Sequence, residues 1–162
     1  MSERVKGIRT PIRLEFEHRT GDAATRFLYG MADGKILGQR CVECGRVYVP
    51  PRGSCPRCAV VTDAEVEVSD KGTVTTFCIV RVPAENLSFD PPFVCAHILL
   101  DGADIPMFHV LDGCPLDDVR MGMRVQAEWV PESERAASFH SIRAFRPIDE
   151  PDALFDSFKD HL

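Results

Sequence analysis

Two Cys-x-x-Cys pairs, separated by ten residues, constrain the fold of this 162-residue chain more than any other feature of its sequence. Four thiolates in two tight pairs can close a tetrahedral site around one divalent ion, because each pair supplies two adjacent corners. Gly45 follows the first pair and permits the positive φ that lets the chain turn back over its own ligands. Ala59 follows the second pair, so the match there is looser. The predicted metal ligands are Cys41, Cys44, Cys55 and Cys58.

The spacing favours Zn²⁺ in a closed, structural site with no position open to water or substrate. Iron held as in rubredoxin suits the same pattern, and a red colour in the purified protein would indicate it. A redox dithiol and a pair of disulfides are the alternatives without a metal. Disulfides are disfavoured because seven cysteines is an odd number and residues 1–9 do not resemble a signal peptide. Few apolar residues surround the four cysteines, so we expect this segment to need its ion in order to fold.

Composition and charge limit the partners of the chain. A net charge of −6 disfavours nucleic acid, since neutralising phosphates dominates that affinity. No apolar run approaches the roughly 20 residues that a membrane-spanning helix requires. The cysteine usage indicates a reducing compartment, so we expect a cytoplasmic protein.

Positive charge is concentrated around the cysteine pairs. Between residues 39 and 61 there are four arginines and a single acid, Glu43. Part of this charge balances four thiolates on a divalent ion, and the remainder could meet a phosphate-bearing ligand. A solvated or interface role is the alternative. The candidate phosphate contacts are Arg46, Arg52 and Arg57.

The sequence divides into four segments: an N-terminal arm and helix (1–38), the metal module (39–61), a β domain (62–146) and a C-terminal amphipathic tail (147–162). In the first segment we predict a helix over residues 23–31, preceded by capping residues Thr20 and Asp22. Its apolar face packs either on this chain or on a partner protein. That face consists of Phe27, Leu28 and Met31.

The third segment is almost continuous strand, with turn residues between runs of β-branched and aromatic residues. Five such strands, with one helical turn between the third and the fourth, predict a small closed Greek-key barrel of the OB-fold type. The predicted strands are Thr73–Val82, Phe93–Leu100, Ile105–Leu111, Val125–Val130 and Phe139–Phe145. The expected fold class is therefore mainly β with flanking helices.

Two further apolar features are candidate docking points. The first is a proline-stiffened loop carrying Phe89 and Phe93, which either meets a protein or an acyl chain or tucks under the barrel mouth. The second is the tail, where helical spacing predicts a short helix that docks on the barrel or on another subunit. The apolar residues of that helix are Leu154, Phe155, Phe158 and Leu162.

A catalytic site and a nucleic-acid surface are both disfavoured. Cys95 and His97 share one face of a strand, and His109 on the next strand could lie beside them, but no acid is placed to orient a histidine. Cys78 and Cys95 stand in apolar runs and are predicted to be small buried side chains. The barrel strands carry too few cations for single-stranded nucleic acid.

Several motifs in order resemble the zinc-ribbon plus OB-fold family associated with thiolases, formerly a domain of unknown function. They are Cys-x-x-Cys-Gly, Pro-Pro-Arg before Cys-Pro-x-Cys, Gly72–Phe77, Pro92–Gly102 and Met121–Val125. The resemblance covers roughly residues 24–146. It implies a zinc ribbon like that of rubredoxin, whose ligands are the four cysteines named above, and an OB-fold barrel.

The resemblance also implies a function. Members of the family resemble non-catalytic subunits of thiolase-fold enzymes acting on acyl-CoA, in thiolysis or in retro-aldol cleavage of aromatic or steroid-type substrates. The expected partner is such an enzyme, in a two-plus-two hetero-oligomer, with a coenzyme A thioester as a possible shared ligand. The three arginines would then contact CoA phosphates. A stand-alone acyl-CoA-binding protein and, less favoured, a single-stranded nucleic-acid binder are the alternatives.

Overall fold

The computed structural model describes residues 7, 14, 15, 17, 19–84 and 89–162. The arm predicted before the helix lies largely outside these residues. Helix α1 spans Asp22–Ala32, one residue longer at each end than predicted. Its N-cap is Gly21 and no side chain caps it, although Asp22 lies in the first turn, where a carboxylate favours the helix dipole. Gly34, with φ of +73°, ends the helix.

A three-stranded antiparallel sheet follows the helix, in the order β2-β1-β3. Its strands are β1 (Ile36–Arg40), β2 (Val47–Tyr48) and β3 (Ala64–Val68). Strand β1 was not predicted, because Gly38 weakens its strand pattern. A Cβ built on Gly38 would lie 2.8 Å from Val49 Cγ2, so a glycine is needed for close packing at this point. Strand β1 therefore spans the boundary predicted at residue 38, and β3 lies after the one predicted at residue 61, so the sheet extends beyond the predicted metal module on both sides.

Five further strands form a closed barrel in the order β4-β5-β6-β8-β7, as predicted for an OB-fold. Strands β7 and β4 pair antiparallel to close it, and the β6–β8 pair is parallel. The predicted helical turn is a 3₁₀ helix at Leu116–Asp118. The strands are β4 (Lys71–Val80), β5 (Phe93–Leu100), β6 (Met107–Leu111), β7 (Arg124–Trp129) and β8 (Ile142–Pro147).

The last strand begins three residues later than predicted. Phe139–Ser141 is a 3₁₀ turn, because Ser138 Oγ accepts a hydrogen bond from the His140 backbone N–H at 3.2 Å. Phe139 instead packs against Phe27 of α1, with 5.3 Å between the ring centroids.

The C-terminal tail is not the α-helix that its spacing predicts. It forms two 3₁₀ turns, Phe155–Ser157 and Lys159–His161. Phe158 is the anchor, with 2% of its surface exposed, and Ala153 donates its backbone N–H to Gly122 O at 2.8 Å. A segment this short gains more from docking one aromatic ring on the barrel than from completing an isolated helix.

One apolar cluster joins helix α1 and the three-stranded sheet to the barrel, and Cys41, Tyr48 and Cys55 form a second, smaller cluster. Phe27 and Met31 of α1 are buried in the same cluster as Ile98 and Phe145 of the barrel. The face of α1 therefore packs on its own chain, which is one of the two predicted alternatives, and these two side chains are not available to a partner.

Asp104 links the three-stranded sheet to the barrel. Its carboxylate Oδ2 accepts the Val47 backbone N–H at 2.8 Å, and its own backbone N–H donates to Val47 O at 2.9 Å. His161 Nδ1 of the tail donates to Asp104 O at 2.8 Å. Within the described residues no helix has the length and apolar character needed to cross a membrane.

Candidate metal centre

The four predicted ligands come together at the end of the three-stranded sheet. The Sγ atoms of Cys41, Cys44, Cys55 and Cys58 all lie within 4.8 Å of one another, and Cys44 Sγ and Cys55 Sγ are 3.8 Å apart. A tetrahedral zinc site with bonds of about 2.3 Å requires sulfurs about 3.8 Å apart. Cys41 and Cys55 are buried, and the other two are partly buried. The donor set fits Zn²⁺ in a closed, structural site.

Both cysteine pairs adopt the same backbone conformation. In the first, Cys41 N donates to Arg46 O at 2.8 Å and Gly45 N donates to Cys41 O at 2.9 Å. In the second, Cys55 donates to the residue five positions later and accepts from Ala59 N, both at 2.8 Å. Gly45 and Ala59 hold equivalent places, with φ of +74° and 57°. Ala59 therefore replaces the glycine of the first turn without changing the turn conformation.

Tyr48 supports the site from strand β2, a role that the cysteine spacing does not predict. Its side chain is 2% exposed, and its hydroxyl donates to Cys55 Sγ at 3.1 Å. This hydrogen bond is the main cause that lowers the pKa of Cys55 to about 6, and it also raises the pKa of Tyr48 to about 12. A thiol that deprotonates easily is a better metal ligand. The sequence feature that could have indicated this support is a tyrosine between the two cysteine pairs.

The three candidate phosphate-binding arginines lie in and between the two cysteine turns. Arg52 stacks on the Tyr48 ring, with its guanidinium carbon 5.8 Å from the ring centroid, and the charge of Arg46 partly opposes the rise in the pKa of that tyrosine. Arg57 is exposed on the second cysteine turn. Among the residues that the structure describes, no carboxylate forms an ion pair with any of these arginines.

The structure does not assemble the catalytic arrangement considered for Cys95. Cys95 and His97 point outward from β5, whereas His109 pairs with the buried Ala96 and packs edge-on against Phe145 in the core. Burial raises the pKa of the Cys95 thiol, which is the wrong direction for a nucleophile.

The burial predicted for Cys78 and Cys95 is wrong. Cys78 is exposed and Cys95 is partly exposed, because their face of β4 and β5 is not covered by another element of the described chain.

The candidate docking residues separate into buried and exposed groups. Phe89 is 41% exposed and contacts Phe93, with 5.7 Å between the ring centroids. In the tail, Leu154 and Phe155 are 79% and 56% exposed, whereas Phe158 is buried on the barrel. Leu28 is half-buried beside the core.

Comparison with known proteins agrees with this architecture. Residues 30–61 match the rubredoxin-like zinc ribbon domain of ChsH2, and residues 65–130 match the C-terminal OB-fold domain of ChsH2. The two matches together cover more than half of the chain. This chain belongs to the ChsH2 zinc-ribbon and OB-fold family.

Two similar proteins carry names that describe a role. A DUF35 domain-containing scaffold protein of Methanocaldococcus jannaschii is 37% identical over 93 residues, which are 57% of this chain and 65% of that protein. A probable enoyl-CoA hydratase alpha subunit of Thermomonospora curvata is 25% identical over 113 residues, which are 70% of this chain and 34% of that protein. The matched region thus spans less than two thirds of either relative.

A solved structure shares the fold of this ChsH2-family chain. The Ltp2-ChsH2(DUF35) aldolase superposes with a TM-score of 0.62 at 23% identity, covering 81% of this chain and 98% of that chain. At this identity the likeness concerns the fold.

Proposed function

We propose that the chain is a non-catalytic accessory subunit of a hetero-oligomeric thiolase-superfamily enzyme acting on acyl-CoA. It would stabilise the enzyme and help to shape its substrate channel. The observation that carries the proposal is the match to a ChsH2 chain, over 98% of that chain, in an aldolase whose name joins ChsH2 to Ltp2. The scaffold name of the archaeal relative and the subunit name of the enoyl-CoA relative support it.

The chemistry of the described residues agrees with bond-making on a second polypeptide. The metal site has four sulfur ligands and leaves no position for substrate. The outward Cys95 and the inward His109 cannot act together as nucleophile and base, because they lie on opposite faces of the sheet. Thiolysis or retro-aldol cleavage of an aromatic or steroid-type acyl-CoA is therefore assigned to the partner.

We propose that the partner docks on exposed apolar residues. We assign this role to Phe89 on its loop and to Leu154 and Phe155 in the tail. Arg46, Arg52 and Arg57 remain our proposed contacts to CoA phosphates, since each is free of a carboxylate partner in the described chain. A two-plus-two assembly in the cytoplasm is the simplest arrangement around a dimeric partner.

Recovery of the assembly from native cells tests the proposal. A tagged chain should bring down a thiolase-fold enzyme in stoichiometric amount. That enzyme, expressed alone, should be insoluble or inactive, and coexpression with this chain should restore acyl-CoA turnover. Full activity of the enzyme alone, or cleavage of a thioester by the isolated chain, would contradict the proposal.

A double variant sharpens the docking assignment. Leu154→Ala with Phe155→Ala removes exposed side chains and leaves the buried Phe158 in place, so we expect it to weaken coelution with the partner while the isolated chain stays folded. The matched surface control is Glu132→Ala. Glu132 lies in the 3₁₀ turn Glu132–Glu134, which is outside the tail. Equal coelution of the double variant and the control would exclude the tail as a docking point.

A stand-alone acyl-CoA-binding role is the second candidate, and one cavity favours it. The cavity, of about 320 Å³, lies between the Phe89–Phe93 loop and the barrel, and its lining includes Leu111 and Val119. Such volumes are at the lower end of small-molecule sites. Calorimetric titration of the isolated chain with acyl-CoA and with free CoA separates the two candidates. Micromolar binding by a monomer that recruits no enzyme would favour the second.

A further inference from the structure

Two free cysteines lie directly opposite each other on neighbouring strands of the barrel. Cys78 of β4 pairs with Cys95 of β5 in the antiparallel register, and both thiols are free. These cysteines are distant from the four metal ligands in sequence and take no part in the function proposed above.

Both side chains point to the same, outer face of the sheet. Two residues away along each strand, Thr76 pairs with His97. Thr76 Oγ1 lies 3.2 Å from His97 Nδ1, so these two side chains share a face. His97 is exposed and stands between buried neighbours, which identifies its face as the outer one. Cys78 lies two residues after Thr76, and Cys95 lies two residues before His97. Because successive side chains of a strand alternate between faces, both cysteines lie on this outer face.

The spacing of opposed residues suits a covalent link. Directly opposite residues of an antiparallel pair have Cα atoms about 4.5–5.5 Å apart, and disulfides join Cα atoms about 4.4–6.8 Å apart. The Cβ atoms of opposed residues are about 4.5–5.5 Å apart, which is wider than most disulfides accept. A bond between the two cysteines is therefore feasible after a small approach of the strands, and it is strained and easily reduced.

The two thiols differ in accessibility. Cys78 is exposed, whereas Cys95 is partly covered. Burial, and then the neighbouring Cys78, raise the pKa of the Cys95 thiol. An oxidant therefore meets Cys78 first, and Cys95 is in position to react second.

We propose that Cys78 and Cys95 form a reactive dithiol site that disulfide oxidants of the glutathione type convert to a reversible cross-strand disulfide. The Cys78 thiolate attacks one sulfur of oxidised glutathione, forming a mixed disulfide and releasing one glutathione thiolate. The Cys95 thiolate then attacks the Cys78 sulfur, forming the Cys78–Cys95 bond and releasing the second glutathione. The two protons of the cysteines leave with the two glutathione molecules, and two electrons pass from the cysteines to the oxidant.

The test uses the zinc-loaded full chain, incubated with oxidised glutathione, alkylated under denaturing conditions and analysed by intact mass and tryptic digestion. Before denaturation, native mass spectrometry should show a product that has lost two hydrogens, carries no glutathione and retains its zinc, and dithiothreitol should restore the starting mass. After denaturation and alkylation the product should carry five alkyl groups, because two of the seven cysteines are linked. Trypsin should release the segment of residues 72–81, which contains Cys78, joined to the segment of residues 82–120, which contains Cys95 and Cys114.

Three serine variants decide the assignment. Cys114→Ser is the matched control and should form the linked product at the rate of the parent. Cys78→Ser should not form it, and Cys95→Ser should stop at a stable glutathione adduct on Cys78. All three positions are at least partly exposed, so we expect the variants to fold.

Three results would overturn the proposal. They are a persistent glutathione adduct on Cys78 of the parent, loss of the linked product in Cys114→Ser, and release of zinc before any link between the strands appears.

Discussion

Ala59 is the only non-glycine residue with a positive φ in the part of the chain that the structure describes. For an L-residue this left-handed conformation costs roughly 1–2 kcal/mol. The second cysteine turn therefore carries a strain that the first, with Gly45, avoids. The strain is tolerated because the backbone hydrogen bonds of the turn and the bound ion fix its geometry.

The two turns predict opposite effects of exchanging glycine and alanine. Gly45→Ala should weaken zinc binding about five- to thirty-fold, because it adds about 1–2 kcal/mol of left-handed strain. No atom lies within 4 Å of the added Cβ, so the effect is conformational and not a clash. Ala59→Gly should bind zinc as tightly as the parent or more tightly. Chelator competition measures both, and equal weakening by the two substitutions would contradict this account.

At the residue scale, the sequence predicted the ligands but not their support. Four cysteines at this spacing define a site by themselves, because the ligand chemistry is local. The hydrogen bond from Tyr48 to Cys55 depends on how β2 lies against the second turn. The link from Asp104 to Val47 joins residues 57 positions apart, which periodicity and spacing do not reveal.

At the scale of elements, the tail depends on one aromatic anchor. Phe158→Ala should release residues 153–162 from the barrel, since a buried aromatic side chain typically contributes about 3–5 kcal/mol. Leu154→Ala is the control, because it removes an apolar side chain that is 79% exposed, and it should change stability by less than about 0.5 kcal/mol. Hydrogen exchange of the tail measures the release. Equal protection in the two variants would rule out Phe158 as the anchor.

A second element-scale prediction concerns the ion pairs that fasten the start of the tail. Glu150 accepts hydrogen bonds from Lys71 Nζ at 2.7 Å and from Arg124 Nε at 3.0 Å, and these hold its pKa below the usual value. Because the folded pKa is lower than the unfolded one, the contribution to stability is present above the unfolded pKa and is lost as the pH falls through the folded pKa.

Glu150→Gln should therefore lower the melting temperature at pH 7, and its difference from the parent should shrink as the pH falls below about 4. Glu132→Gln is the control, since the structure gives this exposed carboxylate no ion pair among the described residues. Melting temperatures across this pH range measure both. A difference that persists unchanged in acid would show that Glu150 acts through packing instead.

Elements with a regular pattern were predicted better than those without one. The closed five-stranded barrel was predicted because its strands are long and separated by turn residues. Strand β1 was missed since Gly38 interrupts its pattern, and the tail was assigned a helix since its apolar spacing is helical. In both cases packing against the barrel or the neighbouring strand decided the conformation.

At the scale of the whole molecule, zinc removal should affect the two parts unequally. Most of the larger apolar cluster lies in the barrel, including Val74, Ile98 and Phe145, whereas the cysteine turns are held by their ligands and by Tyr48 in the smaller cluster. Chelation at neutral pH should therefore abolish hydrogen-exchange protection over residues 41–61 while β5 and β8 stay protected. Adding zinc back should restore protection. Simultaneous loss of protection in both parts would contradict separate stability.

The passage from β3 to β4 takes only two residues, Ser69 and Asp70. Asp70 is fixed there by Gln126 Nε2 at 3.1 Å and Trp129 Nε1 at 3.2 Å, and Ser69 Oγ accepts the Lys71 N–H at 3.0 Å. Such a short, hydrogen-bonded connection holds the sheet at a fixed angle to the barrel and does not act as a flexible linker. An enzyme that bound the zinc module would therefore also fix the orientation of the barrel strands relative to itself.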